Sequence, residues 1–172
     1  RAIPGVGKGP SRSTSAPAAT NPASSADSNI YPDRRVSLPI TTVPPLGTST
    51  CADVRIDFDG RPMRVLLVDA VVRPFSNRRE MIDEVFELAR ETPEIPTIVM
   101  GDFNTPTDSV WFDEVRNDYD HAFEQAGRGM LTTWPAPAPI LAIDHVWLSR
   151  QLRAGCASIG WSWASDHRPI VV

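Results

Sequence analysis

Between residues 50 and 100 the spacing of apolar side chains changes period twice, a pattern that neither an all-helical nor an all-strand fold satisfies. Val54, Ile56 and Phe58 alternate with Arg55 and Asp57, the period of a half-buried strand over Cys51–Phe58. Asp59-Gly60 is a hairpin-type turn, and Met63–Val72 reads as a more fully buried strand. Ile82, Val85, Phe86 and Ala89 then fall at helical spacing, widened by Met81 and Leu88, which predicts a helix from an N-cap at Ser76 to about Glu91. Pro93 and Pro96 end it, and Thr97–Met100 follows as a short buried strand. A second helix is expected over about Asp108–Asn117, and further strands at Ala142–Ser149, Arg153–Trp163 and Pro169–Val172. This order predicts an α/β domain with a mixed sheet.

The other end of the chain reads differently. Residues 1–30 are rich in Ala, Ser, Pro, Gly and Thr, and eight of the 17 prolines precede Leu46. Such a stretch buries too little apolar surface to offset its ordering entropy, so residues 1–47 are expected to be a disordered tail or linker ahead of a single domain at 48–172. No apolar run approaches the roughly 18 residues that cross a bilayer, and no secretory apolar segment is visible near the start. Residues 1–45 carry a net charge of +3 and the rest −7, within an overall −4. An acidic body opposes strong non-specific binding to nucleic acid, which depends on neutralising many phosphates. Cys51 and Cys156 are too few for a disulfide framework and are expected to be buried free thiols, with a single bridge as the alternative.

Three short motifs carry chemistry. Gly101-Asp102-Phe103-Asn104 leaves the strand TIVM directly. On an extended backbone Asp102 and Asn104 face one way, suited to activating a water and binding an anionic oxygen. The plainer alternative is a loop whose Asp and Asn bond their own backbone. In Ile143-Asp144-His145-Val146 adjacent side chains point to opposite faces, so Asp144 and His145 do not share a site. Asp144 amid apolar neighbours needs a partner, and an imidazole from elsewhere would serve. His145 is expected on the far face. In Ser165-Asp166-His167-Arg168-Pro169, His167 is a candidate for that partner and Asp166 a candidate metal ligand; a polar turn before an edge strand is the alternative. His121 lacks such context and is expected on a helix surface.

Together GDFN, IDHVWLS and SDHRPIVV resemble the three C-terminal signatures of the endonuclease/exonuclease/phosphatase family, whose fold is that of deoxyribonuclease I. The resemblance covers about residues 48–172, including the helix SNRREMIDEVFELA and the segment LTTWP. It implies a four-layer α/β sandwich, of which this chain supplies mainly the C-terminal half, N-terminally incomplete. It also implies that Asp102 activates the attacking water, Asn104 holds phosphate oxygens, and Asp144 orients His167, which stabilises charge on the phosphate. Asp166 would help bind Mg²⁺ or Mn²⁺. The implied reaction is metal-dependent hydrolysis of a phosphoester by in-line attack of water.

Departures accompany the matches. The family's metal-binding Glu and an Asn on its first strand have no counterpart among residues 1–47, whose acids are Asp27 and Asp33. Val71 stands where the family carries a further His, and Asp69 where it carries an Asn. These features predict weak or absent activity of the isolated chain. They also support an alternative, a non-catalytic member that binds a phosphorylated ligand or protein partner. The acidic body leans toward a small phosphoester or lipid headgroup as substrate rather than long nucleic acid. Trp134 is the expected loop contact to substrate, Trp147 a core residue, and Trp161 and Trp163 a pair on one strand face beside the last motif.

Overall fold

The structure is a computed structural model, and it describes residues 40–42, 49–71 and 77–172. Of the expected tail up to residue 47, only β1 (Ile40–Thr42) is described; it pairs antiparallel with β2 (Thr50–Phe58). β2 turns into β3 (Arg61–Asp69) through Asp59 and Gly60, whose φ angles of 54° and 76° give the doubly left-handed hairpin turn that Asp-Gly favours. The carboxylate of Asp57 accepts the Gly60 N–H at 2.7 Å and fixes it.

The expected helix forms as α1 (Arg78–Arg90). Ser76 lies outside the described residues, and the cap is Asn77, whose Oδ1 accepts the Glu80 N–H at 3.4 Å. Met81, Ile82, Val85, Phe86 and Ala89 are buried, each large apolar one worth about 1.5–3 kcal/mol. α1 carries the chain across to β4 (Thr97–Asp102), which pairs parallel with β3, as a helical crossover requires. After β5 (Tyr119–His121), the short α2 (Ala122–Ala126) and β6 (Asp144–Ser149), the strands form one six-stranded sheet in the order β1-β2-β3-β4-β6-β5. β7 (Ser158–Ile159) and β8 (Ile170–Val171) pair separately.

One sheet face packs Leu66, Val68, Val99 and Trp147 under α1. Arg64 shares that face and is only 2% exposed. Its guanidinium reaches Asp53 at 2.9 Å, the Leu88 carbonyl at 2.9 Å and the Thr92 hydroxyl at 3.1 Å, joining β2, β3 and the end of α1. The other face carries Ile98, Met100, Val146 and Leu148 with Ile170 against them. Among the described residues no helix is long and apolar enough to cross a membrane.

Several expectations are corrected. Residues 108–117 form two 3₁₀ turns, Val110–Phe112 and Val115–Asn117, rather than one helix. Their buried anchors, Phe112 and Val115, are three apart, the spacing of a three-residue turn. Arg153–Trp163 is not a strand except at Ser158–Ile159. Pro169 has no N–H to give the Gly160 carbonyl, which instead accepts from the Arg168 Nε at 3.0 Å, so the ladder stops. Trp161 and Trp163 therefore share no strand face, although their rings meet edge to face at 5.2 Å. Cys156 is exposed while Cys51 is buried, and both are free.

His121 is also misplaced by the sequence reading. It lies in a strand, 3% exposed, with Nδ1 accepting the Glu124 N–H at 3.4 Å to cap α2. Pairing of His121 with Trp147 sets its ring 4.8 Å from the indole and 5.4 Å from His145. His145 lies on the face opposite Asp144, as expected, and is 1% exposed. Its Nε2 donates to the Thr105 carbonyl at 2.8 Å.

Candidate active site

Strand register assembles the site. Parallel pairing puts Asp69 beside Asp102, and antiparallel pairing puts Asp144 on the other side of it. Gly101 is what permits that row. Its φ is +137°, and a Cβ there would lie 1.9 Å from the Val68 carbonyl oxygen. The glycine is thus needed for the close approach of β3 inside the sheet rather than for a turn out of it.

Asp102 and Asn104 do come together, by a different route from an extended backbone. Asn104 is left-handed, with φ 46°. Its backbone N–H donates to Asp102 Oδ1 at 2.8 Å and its Nδ2 donates to Asp102 Oδ2 at 3.0 Å. The same amide donates to the Ala70 carbonyl at 2.6 Å, so Asn104 clamps the Asp102 carboxylate to the end of β3.

His167 arrives from a third segment. Its Nδ1 lies 2.9 Å from Asp144 Oδ2, and its Nε2 lies 3.9 Å from Asp102 Oδ2. With Nδ1–H held by Asp144, Nε2 is the nitrogen that faces Asp102. Burial alone would lower the His167 pKa, but the bond and charge of Asp144, with Asp102 and Asp166 nearby, raise it. Asp102 is pushed above the ordinary carboxylate value by burial and by the charges of Asp144 and Asp69, against the Asn104 N–H and His167. Substituting Asp144→Asn is expected to lower the His167 pKa, read by NMR titration of its imidazole. An unchanged value would show that the two side chains are not paired.

Asp166 sits at the rim. Its Oδ2 accepts the Trp134 Nε1–H at 3.0 Å, and its carbonyl accepts the Ala136 N–H at 2.7 Å. Among the described residues one group could hold a metal ion: Asp102, Asp144 and His167 each place a ligand atom within 4.8 Å of the others. Asp166 is outside that group. Two carboxylates suit a hard divalent cation whose remaining positions are filled by waters and phosphate oxygens.

A cavity of about 530 Å³ opens onto these groups. Asp102, Asn104, His167 and Arg78 line its polar side, and Pro106, Trp134, Leu141 and Ile143 its apolar side. Two contributors carry no motif. Thr133 is fully buried, and its hydroxyl accepts the Ile143 and Asp144 N–H groups at 3.3 and 3.4 Å. Its carbonyl accepts the Arg168 N–H at 2.8 Å, so one threonine ties the Asp144 strand to the His167 loop. Arg78, the first residue of α1, is half-buried in the cavity wall. A cation opening the helix after the Asp69 strand was its only sequence signal.

Comparison with known proteins agrees with this geometry. Among curated proteins no match to the sequence is found. Solved structures do match. A Bacteroides thetaiotaomicron endonuclease/exonuclease/phosphatase family protein has a TM-score of 0.60 and 17% identity, over 71% of this chain and 54% of its own. A mannosyl-6-phosphatase of the same organism has a TM-score of 0.57 and 18% identity, over 71% and 55%. TDP2 of D. rerio, complexed with a single-strand DNA product, has a TM-score of 0.61 and 15% identity, over 79% and 67%. The chain spans about half the length of the first two. The fold is therefore the deoxyribonuclease-I-like α/β fold that the motifs imply. The sequence itself matches the description "Endonuclease/Exonuclease/phosphatase family" across residues 21–167, most of the chain. The chain belongs to the endonuclease/exonuclease/phosphatase family.

Proposed function

We propose that this chain carries the phosphate-handling half of a divalent-metal-dependent phosphoesterase. The observation that carries the reading is the convergence of Asp102, Asn104 and His167 on one cavity, with Asp144, from a third segment, bonded to His167. Asp102 takes a proton from the attacking water. Asn104 holds that carboxylate in one orientation. Asp144 fixes His167 so that Nε2–H meets charge developing on the phosphate. Asp102 and Asp144 would hold Mg²⁺ or Mn²⁺, with the rim carboxylate of Asp166 as a further acidic ligand. Such an ion supplies Lewis-acid stabilisation of the phosphate oxygens.

The substrate is taken no further than a phosphoester. A mannosyl-6-phosphatase and a TDP2 complexed with DNA product are both relatives in fold, so they give no weight to a small molecule or lipid headgroup over nucleic acid. The test is hydrolysis of bis(p-nitrophenyl) phosphate and of p-nitrophenyl phosphate with Mg²⁺ or Mn²⁺, repeated in excess EDTA. Turnover that EDTA abolishes is expected. Turnover indifferent to EDTA would overturn the metal dependence, and none with either ion would favour the non-catalytic reading. That reading rests on Val71, exposed just beyond β3 and without a titratable group.

A further inference from the structure

Among the described arginines whose side chains have no partner, Arg55, Arg61, Arg128 and Arg153 are exposed and Arg78 alone is half-buried. Arg64, Arg79, Arg90, Arg116 and Arg150 are each paired with a carboxylate: Asp53, Asp83, Asp118, Glu124 and Asp120. Arg78 has no hydrogen-bond or ion-pair partner among the described residues, yet it is half-buried and faces the cavity that holds Asp102, Asn104 and His167. A guanidinium that is partly desolvated and left without a counter-charge is costly unless an anion completes it. It also opens a helix of 13 residues, at the end where the helix dipole favours negative charge.

The protein side of this cavity otherwise offers an anion little. Asp102 repels it, and the Asn104 side-chain amide donates to two protein oxygens. His167 brings one N–H. We infer that Arg78 is a substrate-binding residue, whose guanidinium grips the non-bridging oxygens of the phosphate in this cavity. The inference rests on the phosphoesterase reading and adds to it the group that holds the anion. The planar fork can take two oxygens at once, which an ammonium cannot. Charge alone is therefore insufficient, and Lys at this position is only a partial substitute.

Calorimetric titration of inorganic phosphate, in the presence of Mg²⁺, into the unaltered chain and into Arg78→Ala, Arg78→Gln and Arg78→Lys tests it. Phosphate is expected to bind about 10- to 100-fold more weakly to the Ala and Gln variants, with Lys between, at unchanged thermal midpoints. Gln keeps the helix propensity and part of the aliphatic stem of the side chain, so a fold defect confined to the Ala variant is separable. With p-nitrophenyl phosphate the loss should fall mainly on KM. Equal phosphate affinity in all four proteins would overturn the role of Arg78 and leave the phosphoesterase reading standing. Failure of the unaltered chain to bind phosphate would overturn it too, and if metal-dependent hydrolysis were also missing, both readings would fall together.

Discussion

Asp102→Asn is expected to lower metal-dependent hydrolysis of bis(p-nitrophenyl) phosphate by about 10³-fold or more, and His167→Ala by about 10²- to 10⁴-fold. The two residues do different work on the same phosphate. Asp102 is held by two bonds from Asn104 and stands 3.9 Å from the His167 Nε2, so base and donor border the same part of the cavity. Asn keeps the shape of the carboxylate but cannot take a proton. Ala at 167 removes the donor and leaves Asp144 unpaired. Because the groups act on one transition state, the double variant should be little slower than the slower single one. Circular dichroism and thermal midpoints of the variants separate this loss from unfolding. Retention of a tenth of the rate by Asp102→Asn would remove Asp102 from the role of base.

Acid should destabilise this protein from pH 6.5 downward, through two buried histidines. Burial, the charge of a neighbouring imidazole and Arg116 hold the His121 pKa down to about 3. Burial also takes His145 down to about 4, in spite of its bond to Thr105 and the charge of Asp144. Above the ordinary value of 6.5 both imidazoles are neutral whether the chain is folded or not, and stability does not depend on them. Below it the unfolded chain takes up protons that the folded one refuses. Stability then falls by about 1.4 kcal/mol per pH unit for each histidine, or about 4–5 kcal/mol for the two between pH 6.5 and 4.5. The packing around them explains the refusal. Arg116 lies 5.2 Å over the Trp147 ring, and His121 Nε2, His145 Nδ1 and Trp147 Nε1 have no hydrogen-bond partner among the described residues. Asp102 acts in the opposite sense, since its raised pKa favours the folded chain once it protonates, but it is partly exposed and weighs less. Urea midpoints at pH 7 and 4.5 give the comparison, with His121→Phe and His145→Phe expected to flatten the dependence. Equal midpoints at the two pH values would refute it.

What was legible in the sequence was what repeats locally. Strands β2 and β3, the turn between them and α1 follow from period and turn chemistry within a few residues. The motif residues Asp102, Asn104, Asp144 and His167 were legible as chemistry, and the structure joins them in one bonded cluster. The failures are of long range. Residues 108–117 have a helix's apolar content but bury it at three-residue spacing, and residues 153–163 lose their ladder to a proline on the partner strand. His121 is buried because β5 pairs with β6, 26 residues further on. Arg64 and Thr133 look like surface residues until their partners, 11 to 28 and 8 to 35 residues away, are in place.

Gly101 has a consequence for how such a site can diversify. With the Val68 carbonyl where a Cβ would stand, every substitution at that codon pushes β3 and β4 apart at the very residue before Asp102. The pocket floor is thus closed to gradual change. Trp134 and Leu141 on the loop side face the same cavity without that restraint. Variation among descendants of such a chain should therefore accumulate in the walls that choose the leaving group, while the floor stays fixed.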